Sequence, residues 1–192
     1  MAKKESTFSN MVISLSVITL TASIALGFVY ELTKAPIAAA KYAAKMKAIN
    51  EVLPAYNNLP NEEVYKIAVD NDTLYFYPAR EDNKLVGTAI ETFTKKGFSG
   101  NIKLMVGILP DGTINDIVVL EHKETPGLGD KMSKGKSDFS LQFHGKNPEN
   151  FNLSIRKDGG DVDAITATTI SSRAYCDAVK RAYNAYMKGG NK

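Results

Sequence analysis

The sequence predicts an α+β fold in which a single N-terminal transmembrane helix precedes one antiparallel-sheet domain with packed helices. Three observations predict it: an uncharged apolar run near the N-terminus, short β-branched and aromatic runs between turn residues, and an amphipathic stretch near the C-terminus. The chain has 192 residues, of which 44% are hydrophobic. That is enough for one sizeable core in addition to a membrane segment.

The apolar run covers residues 11–30 (MVISLSVITLTASIALGFVY) and contains no charged residue. As a helix rising about 1.5 Å per residue, it spans roughly 30 Å, the thickness of a bilayer's hydrocarbon core. A cleaved signal peptide is the alternative, because Lys3 and Lys4 make a basic start. The run exceeds the usual signal core of about 7–15 residues, which favours an uncleaved anchor.

The anchor divides the chain into an N-terminus at 1–10, the transmembrane helix at 11–30, a helical linker at 31–56 and a domain at 57–192. Basic residues lie on both sides of the anchor, so charge leaves its orientation open: Lys3 and Lys4 before it, and Lys34, Lys41, Lys45 and Lys47 after it. The linker helix is expected to end before Pro54. Its candidate inward positions are Ile37, Ala40, Ala44, Ile49 and Val52.

The sheet is predicted from runs rich in β-branched and aromatic residues at 63–69, 73–77, 85–93, 101–108 and 113–121. The first two runs are expected to form a hairpin, with Asp70, Asn71 and Asp72 in its turn. A second turn is expected at 110–112 (PDG). The stretch 124–161 is rich in Gly, Lys, Ser and Asn, and so long a segment without periodicity suggests a functional loop.

The last helix is predicted at residues 171–187 from apolar side chains at i, i+3 and i+4 spacing. These side chains are Ala174, Tyr175, Ala178, Val179, Ala182, Tyr183 and Tyr186. Ser171 or Thr169 can cap the start of the helix, and Gly189 and Gly190 end it. Cys176 lies on the inner side of this helix and is predicted to be a buried structural thiol without a redox role.

Composition excludes several classes of function. The formal net charge of +3 comes from 24 basic and 21 acidic residues without a basic stripe, so nucleic acid is not an expected partner. One cysteine and two histidines provide no zinc or iron–sulfur ligand set, and no metal is expected. No GxSxG motif occurs, which excludes a hydrolase that uses a nucleophile elbow.

Hydroxyl side chains are concentrated in residues 163–172 (DAITATTISS), where the last helix begins. Backbone N–H groups and the positive end of the helix dipole favour a phosphate at such a position, and the small Ala167 lets the backbone come close. Ordinary capping by Ser and Thr is the alternative. The residues by themselves leave both interpretations open.

A second motif, residues 121–132 (EHKETPGLGDKM), ends a strand in a turn. Pro126 fixes φ, whereas Gly127 and Gly129 permit positive φ or the close approach of a flat ligand. Leu128 is expected to be an exposed apolar tip between the two glycines. A plain tight turn is the alternative interpretation.

Together the two motifs resemble the FMN-binding domain family shared by the RnfG subunit of the Rnf electron-transport complex and the NqrC subunit of the sodium-pumping NADH:quinone reductase. In that family a Ser-Gly-Ala-Thr run opens a helix, and a flavin transferase esterifies its Thr to the phosphate of FMN. Here the run is Thr166-Ala167-Thr168-Thr169. The resemblance implies covalent FMN on Thr169, with Thr168 as the alternative acceptor.

The resemblance covers residues 87–187 and the anchor, and the ETPGLG turn matches it at 124–129. In the family this turn approaches the isoalloxazine ring. The implied cofactor-binding residues, besides the acceptor, are Glu124, Thr125, Gly127, Leu128, Thr166, Ala167, Thr168, Ile170 and Ser171. No catalytic residue is expected, because the redox chemistry belongs to the cofactor.

Little sequence separates the anchor from the first strands, which favours the RnfG branch. The resemblance then implies an electron-carrier subunit, not a free-standing catalyst, in a complex that couples ferredoxin and NAD oxidoreduction to sodium or proton transport. Its partners would be the other Rnf subunits, which include membrane subunits and iron–sulfur or flavin subunits, and a flavin transferase. It would cross the bacterial cytoplasmic membrane once, with the N-terminus in the cytoplasm and the main domain outside. The alternatives are an NqrC-like subunit and a non-redox, membrane-anchored binding module.

Charged side chains beside the two motifs are interpreted mainly as solvated groups. Glu121 and Glu124 flank His122, and we expect both carboxylates to be surface charges. Arg156 or Lys157 could screen the charge of the phosphate, but solvent exposure is the commoner state of such side chains.

Overall fold

The computed structural model describes residues 7–69 and 72–190. The chain separates into two compact units, the first ending at Ala43 and the second beginning at Ala44. Lys3 and Lys4 lie outside the described residues, as do Asp70 and Asn71 of the predicted hairpin turn.

Helix α1, Phe8–Val52, is a single helix that continues through Pro36. Among the described residues, it is the one helix long and apolar enough to cross a membrane, and its most apolar segment has no buried residue. The predicted linker is thus a continuation of the anchor. Its predicted inward positions are partly wrong: Ile37, Ala40 and Ala44 are exposed, whereas Ile49 and Val52 are buried. In the second unit, burial of α1 begins at Ala48, because only the last turns of the helix pack on the sheet.

The second unit is built on a five-stranded antiparallel sheet in which neighbours along the chain are neighbours in space. Its strands are β1 Tyr65–Val69, β2 Asp72–Glu81, β3 Lys84–Gly97, β4 Gly100–Ile108 and β5 Ile114–Glu121. Each of the five predicted runs forms a strand, and pairing of Val69 with Asp72 confirms the predicted hairpin. β2 and β3 extend past their predicted ends because they pair with each other up to Glu81 and Lys84.

Helix α2, Thr169–Ala185, packs on one face of the sheet and ends in a π-helical turn, Tyr186–Gly190. All the predicted inward residues of α2 are buried or, for Tyr183, partly buried. The predicted caps are wrong, because Thr168 is the N-cap residue and both Thr169 and Ser171 lie inside the helix. The hydroxyl group of Ser171 instead binds a buried carboxylate, a stronger acceptor than another neutral group.

The segment between β5 and α2 contains three short 3₁₀ helices, Gly129–Met132, Asp138–Phe143 and Arg156–Asp158. It is therefore less irregular than the sequence suggested. Phe139 and Phe143 explain the order, since their rings pack on Tyr175 of α2 with centroids 5.1 and 5.3 Å away. This packing fixes the end of the segment that begins at the ETPGLG turn.

Candidate functional site

The two sequence motifs meet at the start of α2 and enclose one cavity of about 350 Å³. A third segment, the tip of the β3–β4 hairpin, completes its wall. The lining residues are Phe98, Glu124, Thr125, Leu128, Gly129, Ala167, Thr168, Thr169, Ile170 and Ser171. Ligand pockets in proteins typically measure about 300–1,000 Å³, so this cavity is large enough to be a binding site.

The start of α2 presents backbone donors to this cavity. The first helical hydrogen bond runs from the Ser172 N–H to the Thr168 carbonyl at 3.0 Å, so the N–H groups of the three preceding residues come before it. Within the part of the chain that the structure describes, the Thr168 side chain does not cap the helix; its hydroxyl donates to the Ile165 carbonyl at 3.3 Å. The positive end of the helix dipole therefore remains available to an anion.

The two threonines at this helix start differ in accessibility. Thr168 is only 9% exposed and its hydroxyl is engaged, whereas Thr169 is half-buried at the cavity wall. Ala167, just before them, has a φ of 63°, in the left-handed region that costs a residue with a side chain about 1–2 kcal/mol. This turn in the backbone precedes the two threonines, of which Thr169 is the more accessible.

Glu124 is buried, with 5% of its surface exposed, so its predicted role as a surface charge is wrong. Its Oε1 accepts a hydrogen bond from the Ser99 N–H at 2.9 Å, and its Oε2 accepts one from the Ser171 Oγ at 2.5 Å. The chain folds back beneath the start of α2 after β5 ends, which carries the carboxylate inward. Glu121 is exposed as predicted and pairs with Lys103 at 3.3 Å.

Gly129 allows the turn to pack directly on the helix. A Cβ at this position would lie 2.7 Å from the Glu124 Cβ and 2.9 Å from the Ser171 Oγ, closer than real Cβ contacts. Gly127 has a φ of 78° and open space around it, so the turn needs its positive φ and not its small size. The two glycines of ETPGLG therefore have different physical roles.

The structure brings most of the predicted binding residues to the cavity wall, but not all of them. Gly127 and Thr166 do not line it, whereas Phe98 and Gly129 do. The sequence indicated Gly129 only as a position of backbone freedom or close approach. Phe98 was missed, and the available signal was a large aromatic residue between glycines in the hairpin sequence at 97–100 (GFSG).

The residues present fit FMN. Phe98 and Leu128 offer apolar surface for a flat ring, while the start of α2 offers N–H donors for a phosphate. Neither Arg156 nor Lys157 lines this cavity, and Arg156 pairs with the exposed Asp163 at 3.0 Å. The helix start, not a basic side chain, is thus the feature suited to the phosphate.

A larger neighbouring cavity of about 520 Å³ is less suited to a flat apolar ligand. Several charged side chains line it, and they pair with one another: Arg173 with Asp158 at 2.7 Å and Lys96 with Asp177 at 2.6 Å. Cys176 also lines it but is buried as predicted, and burial raises the pKa of its thiol to about 12.

Comparison with known proteins matches residues 97–184 to the family model described as FMN-binding domain. This range contains both motifs, the hairpin tip and α2. Three similar proteins each carry the name of the RnfG subunit of an ion-translocating oxidoreductase complex. The Erwinia tasmaniensis protein is 42% identical over 69% of this chain and 68% of its own length. The Aliivibrio fischeri protein of strain MJ11 is 37% identical over 91% and 87%, and the Salmonella typhi protein is 39% identical over 79% and 78%.

Proposed function

Because this chain belongs to the RnfG family of ion-translocating oxidoreductase complexes, we propose that it relays electrons through FMN within such a complex. The observation that carries the proposal is that the FMN-binding domain match spans the residues that enclose the cavity. The family confirms the predicted RnfG branch over the NqrC-like alternative. The chain is thus an electron carrier inside a larger assembly.

The FMN is held covalently, through a phosphoester between its phosphate and the Oγ1 of Thr169. Two features of the site support this choice: Thr169 is more accessible than Thr168, and its hydroxyl does not have to be released from the hydrogen bond that Thr168 makes to Ile165. The N–H groups at the start of α2 stabilise the remaining phosphate charge. A covalent link keeps the cofactor on the domain even though the cavity opens to solvent.

The residues of the cavity bind and orient the cofactor. Thr125 and Leu128 of the turn contact the ring, while Ala167, Ile170 and Ser171 shape the wall near the phosphate, and Gly127 and Thr166 maintain the backbone on either side. Bound FMN supplies the electron acceptance and donation, one electron at a time. The protein keeps water away from one part of the ring and fixes its position relative to α2.

Helix α1 anchors the subunit in the membrane. We assign residues 1–10 to the cytoplasm, 11–30 to the membrane, 31–56 to a helical linker and 57–192 to the extracytoplasmic FMN domain of a bacterial inner-membrane protein. A large domain can cross the membrane despite the lysines that follow the anchor, which supports this orientation. The expected partners are the other subunits of the complex and the flavin transferase that attaches FMN.

The acceptor is tested by producing the full chain together with a flavin transferase and measuring its intact mass and its in-gel ultraviolet fluorescence after denaturation. The wild type is expected to fluoresce and to gain the mass of FMN less one water. Thr169→Ala is expected to lose both signals, and the matched variant Thr168→Ala to keep both. Loss in Thr168→Ala alone would move the acceptor to Thr168. A dark wild type of unmodified mass would overturn covalent attachment and favour a membrane-anchored binding module.

A further inference from the structure

Phe98 is a large apolar side chain held in the open at the wall of the cavity. It lies at the tip of the β3–β4 hairpin, 69% exposed, and lines the same cavity as Thr169 and Leu128. Burying a phenylalanine side chain stabilises a protein by about 1.5–3 kcal/mol, a gain that this position largely forgoes. The exposure of Phe98 therefore requires an explanation that the fold of the chain does not supply.

The hairpin tip is fixed in place by contacts on both sides. The N–H of Ser99 donates to Glu124 at 2.9 Å, which ties the tip to the turn after β5. At the other end of the hairpin, Thr94 Oγ1 and Lys96 Nζ both donate to the Asp177 carboxylate of α2, at 2.7 and 2.6 Å. Phe98 is thus carried by a braced segment and directed by it, not left at the end of a free loop.

Phe98 has two apolar companions at the rim of the cavity. Leu128 comes from the turn and is 42% exposed, and Ile170 comes from the first turn of α2 and is 48% exposed. Three segments that are distant in sequence thus bring exposed apolar side chains to one opening. Such a cluster around a cavity marks a binding site, and an aromatic ring among its members favours a flat, aromatic ligand.

We propose that Phe98 is a contact residue for the flavin, packing against the isoalloxazine ring and shielding it from water. This inference rests on the proposed function, because it takes FMN as the occupant of the cavity. It goes further in assigning a role to the β3–β4 hairpin, which lies outside both sequence motifs. The attachment of FMN at Thr169 does not depend on Phe98.

The first test uses the absence of tryptophan from the sequence. In the full chain produced with its flavin transferase, Phe98→Trp introduces a single indole, which quenches flavin emission by electron transfer on contact. Tyr75→Trp is the matched control, since Tyr75 is 37% exposed on β2 and does not line the cavity. At equal flavin content, Phe98→Trp is expected to lower the flavin emission several-fold relative to Tyr75→Trp.

The second test measures shielding without a new aromatic group. Phe98→Ala is expected to increase the quenching of flavin emission by dissolved iodide several-fold over the wild type. Leu141→Ala is the control, because Leu141 is a similarly exposed apolar residue, at 52%, away from the cavity. This control is expected to leave the iodide quenching unchanged.

The outcomes separate this inference from the proposed function. Equal flavin emission in Phe98→Trp and Tyr75→Trp, or unchanged iodide quenching in Phe98→Ala, would overturn the role of Phe98 while the covalent flavin remains. A wild type without flavin in the mass measurement would overturn the proposed function and this inference together. Loss of flavin in Phe98→Ala alone would show that the residue serves attachment, which also contradicts the proposal.

Discussion

Ser171 donates a 2.5 Å hydrogen bond from its Oγ to the Oε2 of Glu124, which joins the first turn of α2 to the turn that follows β5. Both residues are buried, at 2% and 5% exposure. The bond links the two halves of the cavity wall across 47 positions of sequence. A charged acceptor strengthens such a bond, and burial makes its loss costly.

The first prediction concerns this bond. Ser171→Ala is expected to lower the free energy of unfolding by about 1–3 kcal/mol, because the Glu124 Oε2 is left buried without its donor. Denaturant titration of the full chain in detergent, followed by circular dichroism, measures the change. Ser99→Ala is the control, since the hydrogen bond of Ser99 to Glu124 uses its backbone N–H. An equal effect of the two substitutions would contradict a special role for the Ser171 hydroxyl.

The second prediction concerns close packing at Gly129. Gly129→Ala places a methyl group 2.8 Å from the Glu124 Oε2 and 2.9 Å from the Ser171 Oγ. Overpacking of this kind costs about 1–3 kcal/mol and is expected to lower the melting temperature. Gly135→Ala is the matched control, because its Cβ would have nothing within 4 Å. If both variants melted at the wild-type temperature, the turn would have more freedom than the structure indicates.

The third prediction is a pH dependence of stability. The hydrogen bonds from Arg173, 2.7 Å each, lower the pKa of Asp158 below its usual value. The stability from this pair is present above the unfolded-state pKa of about 4 and is lost as pH falls through the lower folded-state pKa.

Asp158→Asn should therefore be less stable than the wild type at neutral pH, and the two should converge as pH falls below about 4. The pair is partly exposed, so the difference is expected to be small and to shrink further in high salt. Thermal unfolding of both proteins over a pH series makes the comparison. A constant difference across the series would assign the effect to packing and not to the ion pair.

The fourth prediction concerns the single cysteine. Cys176 is 3% exposed, and burial raises the pKa of its thiol to about 12, so almost no thiolate is present at pH 8. The folded protein is expected to react with iodoacetamide far more slowly than the protein unfolded in guanidinium. Mass spectrometry of timed samples measures the two rates. Rapid labelling of the folded protein would mean that the start of α2 opens readily.

The sequence determined the elements of this protein because their signals are local. An uncharged run longer than a bilayer is thick predicts a membrane helix, and β-branched runs between turn residues predict the five strands. Helical spacing identified the buried face of α2 down to Cys176 and Tyr186. Two motifs were enough to indicate the family, and the matched relatives confirm it.

The tertiary structure decided which residues share one site, because that depends on contacts between distant segments. Nothing local distinguishes Glu124 from a surface carboxylate; its burial follows from the packing of the turn beneath α2. The accessibility of Thr169 over Thr168 depends on the Thr168 bond to Ile165, and the position of Phe98 depends on how β3 and β4 pair. Sequence patterns fix secondary structure through periodic burial, whereas a binding cavity forms only where the packed elements leave space between them.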